Sequence, residues 1–246
     1  MGIFRFKKFE VLNERSAMKV NTDGVLLGAS LTLRPSDRYL LDVGTGTGTI
    51  ALMIAQRLAQ IPDTGRNELP RIDAVDIDGI SVEEASQNFQ NSPWSSSLFA
   101  YHSSLKDFND KTELKYDLIF SNPPYFDYSL EAPQARRSNA RHTSTGLSYR
   151  ELLEFAECRL TPEGRISMVL PADTEHELCR HARMSGLHLF RIIRVRTVPR
   201  KSPVRIIAEF SRVRCESPEE GLVTIQDEGK YTEEYLSLMR DFYLFA

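Results

Sequence analysis

The chain has 246 residues, 41% of them hydrophobic and 26% charged, which is room for one large domain, or one with a small appendage, around a sizeable core. Its 31 Lys and Arg against 34 Asp and Glu give a net charge of -3; a globally basic nucleic-acid binder is excluded, and no run approaches the roughly 18 consecutive apolar residues of a membrane helix. Cys158, Cys179 and Cys215 are an odd number with no Cys-x-x-Cys spacing, which argues against a disulfide framework or zinc site and for a cytoplasmic protein.

Met1 to Glu10 is basic and aromatic without an apolar run after its charges, so no export or lipid signal is expected. The first strong strand is Arg38 to Val43, which enters Asp42-Val43-Gly44-Thr45-Gly46-Thr47-Gly48; Thr49 to Gln60 then shows helical spacing of apolar residues. A second strand, Ile72 to Val75, closes on Asp76-Ile77-Asp78 and opens a helix over about Ser81 to Asn91, completing a βαβ unit. Strands follow at Ser97 to Tyr101 and Tyr116 to Phe120, the latter running into Asn122-Pro123-Pro124-Tyr125.

A long polar segment, Phe126 to Gly146, exceeds ordinary loop length and reads as functional. Ser148-Tyr149-Arg150-Glu151 has the capping-box pattern for a helix to Leu160, stopped by Pro162 and Gly164, and Arg165 to Leu170 is the next strand. A helix over about Asp173 to Met184 precedes a hairpin, Leu187 to Val195 and Val204 to Val213, expected at one sheet edge; Val223 to Ile225 and a helix from Thr232 complete the chain. The class is α/β with a mainly parallel sheet.

The spacing Gly44-x-Gly46-x-Gly48 differs from the dinucleotide fingerprint Gly-x-Gly-x-x-Gly, and Asp42 stands where a pyrophosphate would be repelled but an ammonium attracted. Asp76, with Ile77 beside it, ends the second strand, where a carboxylate can accept hydrogen bonds from both hydroxyls of a ribose. S-adenosylmethionine offers both an ammonium group and a ribose. A tight turn without ligand, and Asp76 as a helix cap, are the competing readings; Asp78 is assigned to the helix.

With Asn122-Pro123-Pro124-Tyr125 added at a third strand end, the chain resembles the Rossmann-like class I methyltransferases that use adenosylmethionine, which implies a mainly parallel seven-stranded sheet with an antiparallel edge hairpin and helices on both faces. An exocyclic adenine amine is a poor nucleophile because its lone pair is delocalised into the ring. Acceptors at the Asn122 side chain and the Pro123 carbonyl favour a more tetrahedral nitrogen; Pro124 stiffens the loop and Tyr125 stacks a splayed base. No metal is required.

Phe9-Glu10-Val11, Met18 to Gly28, Pro199-x-x-x-Pro203 and the Tyr-rich end, Tyr231 to Tyr243, are similar to the bacterial valine-tRNA adenine-N6 methyltransferases. That resemblance implies one domain over 1–246, with 1–37 covering the cofactor, 38–214 forming the core and 215–246 a C-terminal extension. It implies methylation of adenine 37 in a tRNA anticodon stem-loop, and makes Thr22 a cofactor contact or, equally, the cap of a helix near Asp23. Ser104 stands where many relatives carry an acid for the cofactor's adenine, Asp107 being read as a surface residue. Arg136, Arg137, Arg141, Arg200 and Lys201 are the expected RNA contacts, against a bland reading as a solvated face. His142 is read as a loop residue and Trp94 as packing. Alternative functions are a glutamine methyltransferase of release factors, a ribosomal-RNA guanine-N2 or DNA adenine methyltransferase, and a noncatalytic RNA-binding module.

Overall fold

The computed structural model describes residues 2–61, 69–124 and 147–246. A small antiparallel ribbon, β1 (Ile3–Arg5) and β2 (Glu10–Leu12), leads into α1 (Thr22–Ser30), and the central alternation follows: β3 (Tyr39–Val43), α2 (Thr49–Leu58), β4 (Arg71–Asp76), α3 (Gly79–Gln90), β5 (Leu98–His102), α4 (Leu105–Lys111) and β6 (Tyr116–Ser121). After residues 125–146, α5 (Tyr149–Arg159), β7 (Leu160–Pro171), α6 (Glu175–Met184), β8 (His188–Arg196), β9 (Arg205–Ser211) and β10 (Glu219–Thr224) build the other half, and a ribbon of β11 (Gln226–Asp227) and β12 (Lys230–Tyr231) precedes α7 (Glu233–Met239). The capping box at Ser148 and Glu151 is present.

The main sheet runs β10-β8-β9-β7-β6-β3-β4-β5. Every pair is parallel except those of β9, which is antiparallel to both β7 and β8. The strands on either side of β3 are reached by opposite turns of the chain, so the crevice over β3, β4 and β6 is the topological switch point at which open α/β sheets take ligands. Central strands are apolar on both faces: Leu40, Leu41 and Leu118 to Phe120 are fully buried, as a parallel sheet covered on both sides requires. One core packs α1, α2 and α7 around Leu27, Leu52, Met53 and Met239; the other packs α5 and α6 around Leu152, Leu153 and Leu178.

Two expectations need correction. The sheet has eight strands rather than seven, and the β8–β9 hairpin is interior, because β10 pairs in parallel along β8 from Glu219 opposite Arg191 to Thr224 opposite Arg196. The first residues of β10 are charged, so its apolar signal is weak. Its pairing is supplemented by Arg191–Glu219 at 3.1 Å and Arg194–Glu220 at 2.7 Å. Secondly, Pro162 and Gly164 do not separate helix from strand, since β7 begins at Leu160. They lie in an irregularity where Tyr116 pairs with Leu160 but Leu118 pairs with Arg165, the place a strand tolerates such residues.

The candidate active site

The glycine loop joins β3 to α2, and Gly44, Gly46 and Gly48 all have left-handed φ, +73°, +54° and +77°. At Gly48 the requirement is also steric, because a Cβ there would meet Phe89 Cε1 at 2.5 Å. Gly44 and Gly46 line a cavity of about 330 Å³ above the strand ends, whereas Gly48 does not; it packs on α3.

Asp42 lies beneath the loop and outside the cavity wall, fully buried. Its Oδ2 accepts the Thr45 hydroxyl at 2.8 Å, while Oδ1 has no hydrogen-bond partner among the described residues. Burial therefore pushes its pKa up to about 7, the Thr45 bond opposing and the Asp76 charge adding to the shift.

Asp76 forms part of the wall. Its Oδ2 accepts from Gly46 N–H at 2.8 Å and Oδ1 from Asp78 N–H at 2.9 Å; two backbone donors fix the carboxylate, and each oxygen keeps a further lone pair for a ligand. The cap of α3 is Asp78, which accepts from Ser81 and Ile80 N–H; the Ser81 hydroxyl bond, chiefly, holds its pKa below the usual range. Asp76 is thus left to the cavity. Ile77 is 60% exposed on the wall, its carbonyl accepting from His102 Nε2 at 3.0 Å. An apolar cover for a purine next to an oriented acid for a ribose fits the nucleoside half of adenosylmethionine.

Ser104 also lines the cavity, but it is the cap of α4: its Oγ accepts from Asp107 N–H at 3.0 Å and donates to Asp107 Oδ2 at 2.7 Å. Asp107, read as a surface residue, is therefore tied to the site through Ser104. Thr22 is exposed in the first turn of α1 and lines neither this cavity nor a smaller one beside it; Asn21 is both the cap and the wall residue.

The segment before α1 is strapped across the loop by residues that sequence reading missed. The buried Glu84 carboxylate accepts the backbone N–H groups of Glu14, Arg15 and Ser16 at 2.8 to 2.9 Å. Asn88 bonds Leu12 N–H, Leu12 C=O and Thr47 C=O. This brings Met18 over Gly46 and into both cavities. The available signal was a pair of polar residues, i and i+4, on the same face of α3 as Ser81, Ala85 and Phe89.

Asn122 follows β6, whose last residue is locked by Ser121 Oγ donating to Val43 C=O at 2.7 Å. It lines both cavities, with Pro124 in the wall and Pro123 buried. The structure therefore brings Asp76, Ile77, Ser104, Asn122, Gly44 and Gly46 to one cavity. Tyr125, Arg136, Arg137, Arg141 and His142 lie outside the described residues.

A family model described as "methyltransferase small domain" matches residues 16–184, from the strap to the end of α6. Over 242 residues the chain is 41% identical to the tRNA1(Val) (adenine(37)-N6)-methyltransferase of Parabacteroides distasonis, covering 98% of this chain and 97% of that one. The chain belongs to the tRNA1(Val) (adenine(37)-N6)-methyltransferase family. The similarly named protein of Flavobacterium psychrophilum is 38% identical over 98% of this chain and 99% of its own. These relatives extend across β8 to α7, which the family model leaves out. Among solved structures, a predicted O-methyltransferase from Agrobacterium tumefaciens superposes with TM-score 0.62 at 16% identity, covering 88% of this chain and 95% of that one; a putative class I adenosylmethionine-dependent methyltransferase from Listeria monocytogenes gives 0.56 at 12%, covering 82% and 62%. They place this family member in the class I methyltransferase fold.

Between Arg191 and Arg214 the sequence carries eight Lys and Arg, of which Arg191, Arg194 and Arg205 are paired with acids in the fold. Arg191 pairs with Glu209 at 2.8 Å, Arg194 with Glu175 at 2.5 Å and Arg205 with Asp23 at 2.8 Å. Arg200 and Lys201 stand exposed on the turn between β8 and β9.

Proposed function

We propose that this chain methylates the exocyclic N6 of adenine 37 in the anticodon loop of valine tRNA, using S-adenosylmethionine, in the cytoplasm. When bound, the cofactor supplies an electrophilic methyl group on a sulfonium. Asp76 takes the ribose hydroxyls, Ile77 covers the purine and Ser104 borders it; Asp42, buried outside the cavity wall, stiffens the glycine loop from below through the Thr45 hydroxyl. The Asn122 carbonyl and the Pro123 carbonyl accept the two N–H groups of the target amine, which raises the reactivity of its lone pair along the line of transfer. Tyr125 stacks the adenine, and the proton released after transfer goes to solvent.

The observation that carries this reading is that Asn122 and Asp76, from different strands, line one cavity of about 330 Å³. Arg200 and Lys201, with Arg136, Arg137 and Arg141 in the loop after Tyr125, are the proposed phosphate contacts. The test is incubation with methyl-tritiated adenosylmethionine and tRNA from a strain lacking the gene, followed by nucleoside analysis. N6-methyladenosine is expected from the wild type. Asn122→Ala should slow single-turnover transfer by about 10² or more, as when a preorganised polar group is removed elsewhere, with cofactor affinity retained. Label appearing in protein glutamine, or an Asn122→Ala rate within about threefold of wild type, would overturn the reading.

A further inference from the structure

The amide of Asn122 must face one way for the role assigned to it: oxygen toward the target amine, nitrogen elsewhere. An asparagine alone does not choose, because its O and NH2 are close in size and shape. A neighbour that imposes the choice is Asn21. Its Oδ1 accepts Gly24 N–H at 2.8 Å and its Nδ2 donates to the Lys19 carbonyl at 3.0 Å. A backbone N–H can only donate and a backbone carbonyl can only accept, so the Asn21 amide has a single orientation. The group of Asn122 that meets Asn21 Oδ1 at 3.3 Å is then necessarily Nδ2, and the Asn122 oxygen is turned to the other side. The platform is firm, since the start of α1 rests on α2, where a Cβ on Gly24 would lie 3.5 Å from Ile50.

We propose that Asn21 is a positioning residue for methyl transfer: by holding Asn122 Nδ2 it aims the Asn122 carbonyl at the amine. The inference rests on the reading of Asn122 given above. It uses no contact between Asn21 and substrate, so its loss acts on turnover and not on affinity.

Three variants separate the possibilities in single-turnover assays on the full chain with tRNA. Asn21→Ser keeps an N-cap oxygen for Gly24 N–H but is too short to hold Asn122. Asn21→Asp keeps the cap and an acceptor for Asn122 Nδ2 while giving up the bond to the Lys19 carbonyl. Asn122→Ala removes the group being aimed. Asn21→Ser should lower the rate at saturation about tenfold, the scale of one hydrogen bond, with KM for tRNA, Kd for adenosylmethionine and Tm unchanged. Asn21→Asp should return to within about threefold of wild type, and the Asn21→Ser effect should vanish in the Asn122→Ala background. A wild-type rate for Asn21→Ser beside a slow Asn122→Ala would overturn this inference alone. An Asn21→Ser defect that appears in KM, or that Asn21→Asp fails to rescue, would also overturn it, by making Asn21 a wall or cap residue only. A wild-type rate for Asn122→Ala would remove the reading of Asn122 and this inference with it.

Discussion

Replacing Asp42 by Asn should change how stability depends on pH. The carboxyl is fully buried, and its pKa is pushed from 3.8 to about 7. Between those values the folded state keeps a proton that the unfolded chain has released. Stability contributed by Asp42 therefore falls as pH rises from about 4 to 7, and it is constant outside that window. A shift of about three units at 1.36 kcal/mol each makes the full change about 4 kcal/mol. Asn cannot ionise, and its Oδ1 can still accept the Thr45 hydroxyl that Asp42 takes at 2.8 Å. Carboxylates with lowered pKa, such as Asp78 and Glu84, tilt both proteins in the opposite direction and cancel in the difference. The assay is urea denaturation of wild type and Asp42→Asn, without added cofactor, at half-unit steps from pH 4 to 8. The variant should gain on the wild type by several kcal/mol across the window and not beyond it. Parallel profiles, or a wild type that gains as pH rises, would show that Asp42 is ionised in the folded protein and refute the argument.

Gly48→Ala combines a left-handed φ of +77° with a Cβ at 2.5 Å from Phe89; the two costs sum to about 3 kcal/mol, read as a Tm lower by roughly 10 °C, and a loss below about 1 kcal/mol would contradict the geometry. Glu84→Gln places an NH2 or loses an acceptor where three backbone N–H groups converge. Calorimetry should then show adenosylmethionine binding weakened about five- to tenfold, with turnover at saturation kept; unchanged affinity would detach the strap from cofactor binding. Charge reversal at Arg200 and Lys201 should raise KM for tRNA and reduce the log–log salt slope by roughly 0.7 to 0.9 for every phosphate that is no longer neutralised, with cofactor affinity constant; an unaltered slope would assign both to a solvated face.

Legibility in the sequence followed the range of the forces involved. The strands from Tyr39 to Ser121 and the helices α2 and α3 announce themselves because parallel strands are apolar throughout and helices repeat every three to four residues; α4, only seven residues long with Phe108 its one buried residue, does not. In the tripeptide Asp76-Ile77-Asp78 the sequence assigns Asp78 to the helix but leaves Asp76 open as a competing cap; that competition ends because the acid that reaches Ser81 N–H is Asp78. Thr22 and Asn21 are both good caps, and only the register of α1 decided for Asn21. Glu84 looked like a polar helix residue because its partners are backbone groups some 68 to 70 positions away, which leave no residue-type signature. The last strand of the sheet was expected only over Val223 to Ile225 for a similar reason: Glu219 and Glu220 read as surface until Arg191 and Arg194 stand opposite them.

The placement of these residues divides the work of the site. Asp76 and the Glu84-held strap touch the part of the cavity that a nucleoside and its methionine would fill, and both are fixed by backbone donors. Asn122 and Asn21 stand at the next strand end, joined to each other at 3.3 Å. Arg200 and Lys201 lie on a turn from a different part of the sheet. Side chains sharing a hydrogen bond should be strongly coupled, and those on separate elements nearly additive. Changes at Asp76 or Glu84 should therefore move cofactor affinity, changes at Asn21 or Asn122 the rate at saturation, and changes at Arg200 or Lys201 the KM for tRNA and its salt dependence. Combining Glu84→Gln with Asn21→Ser should give the product of their separate effects on kcat/KM to within about a factor of two. A larger departure would mean that the strap positions Asn21 as well as Met18, and that binding and aiming form one unit.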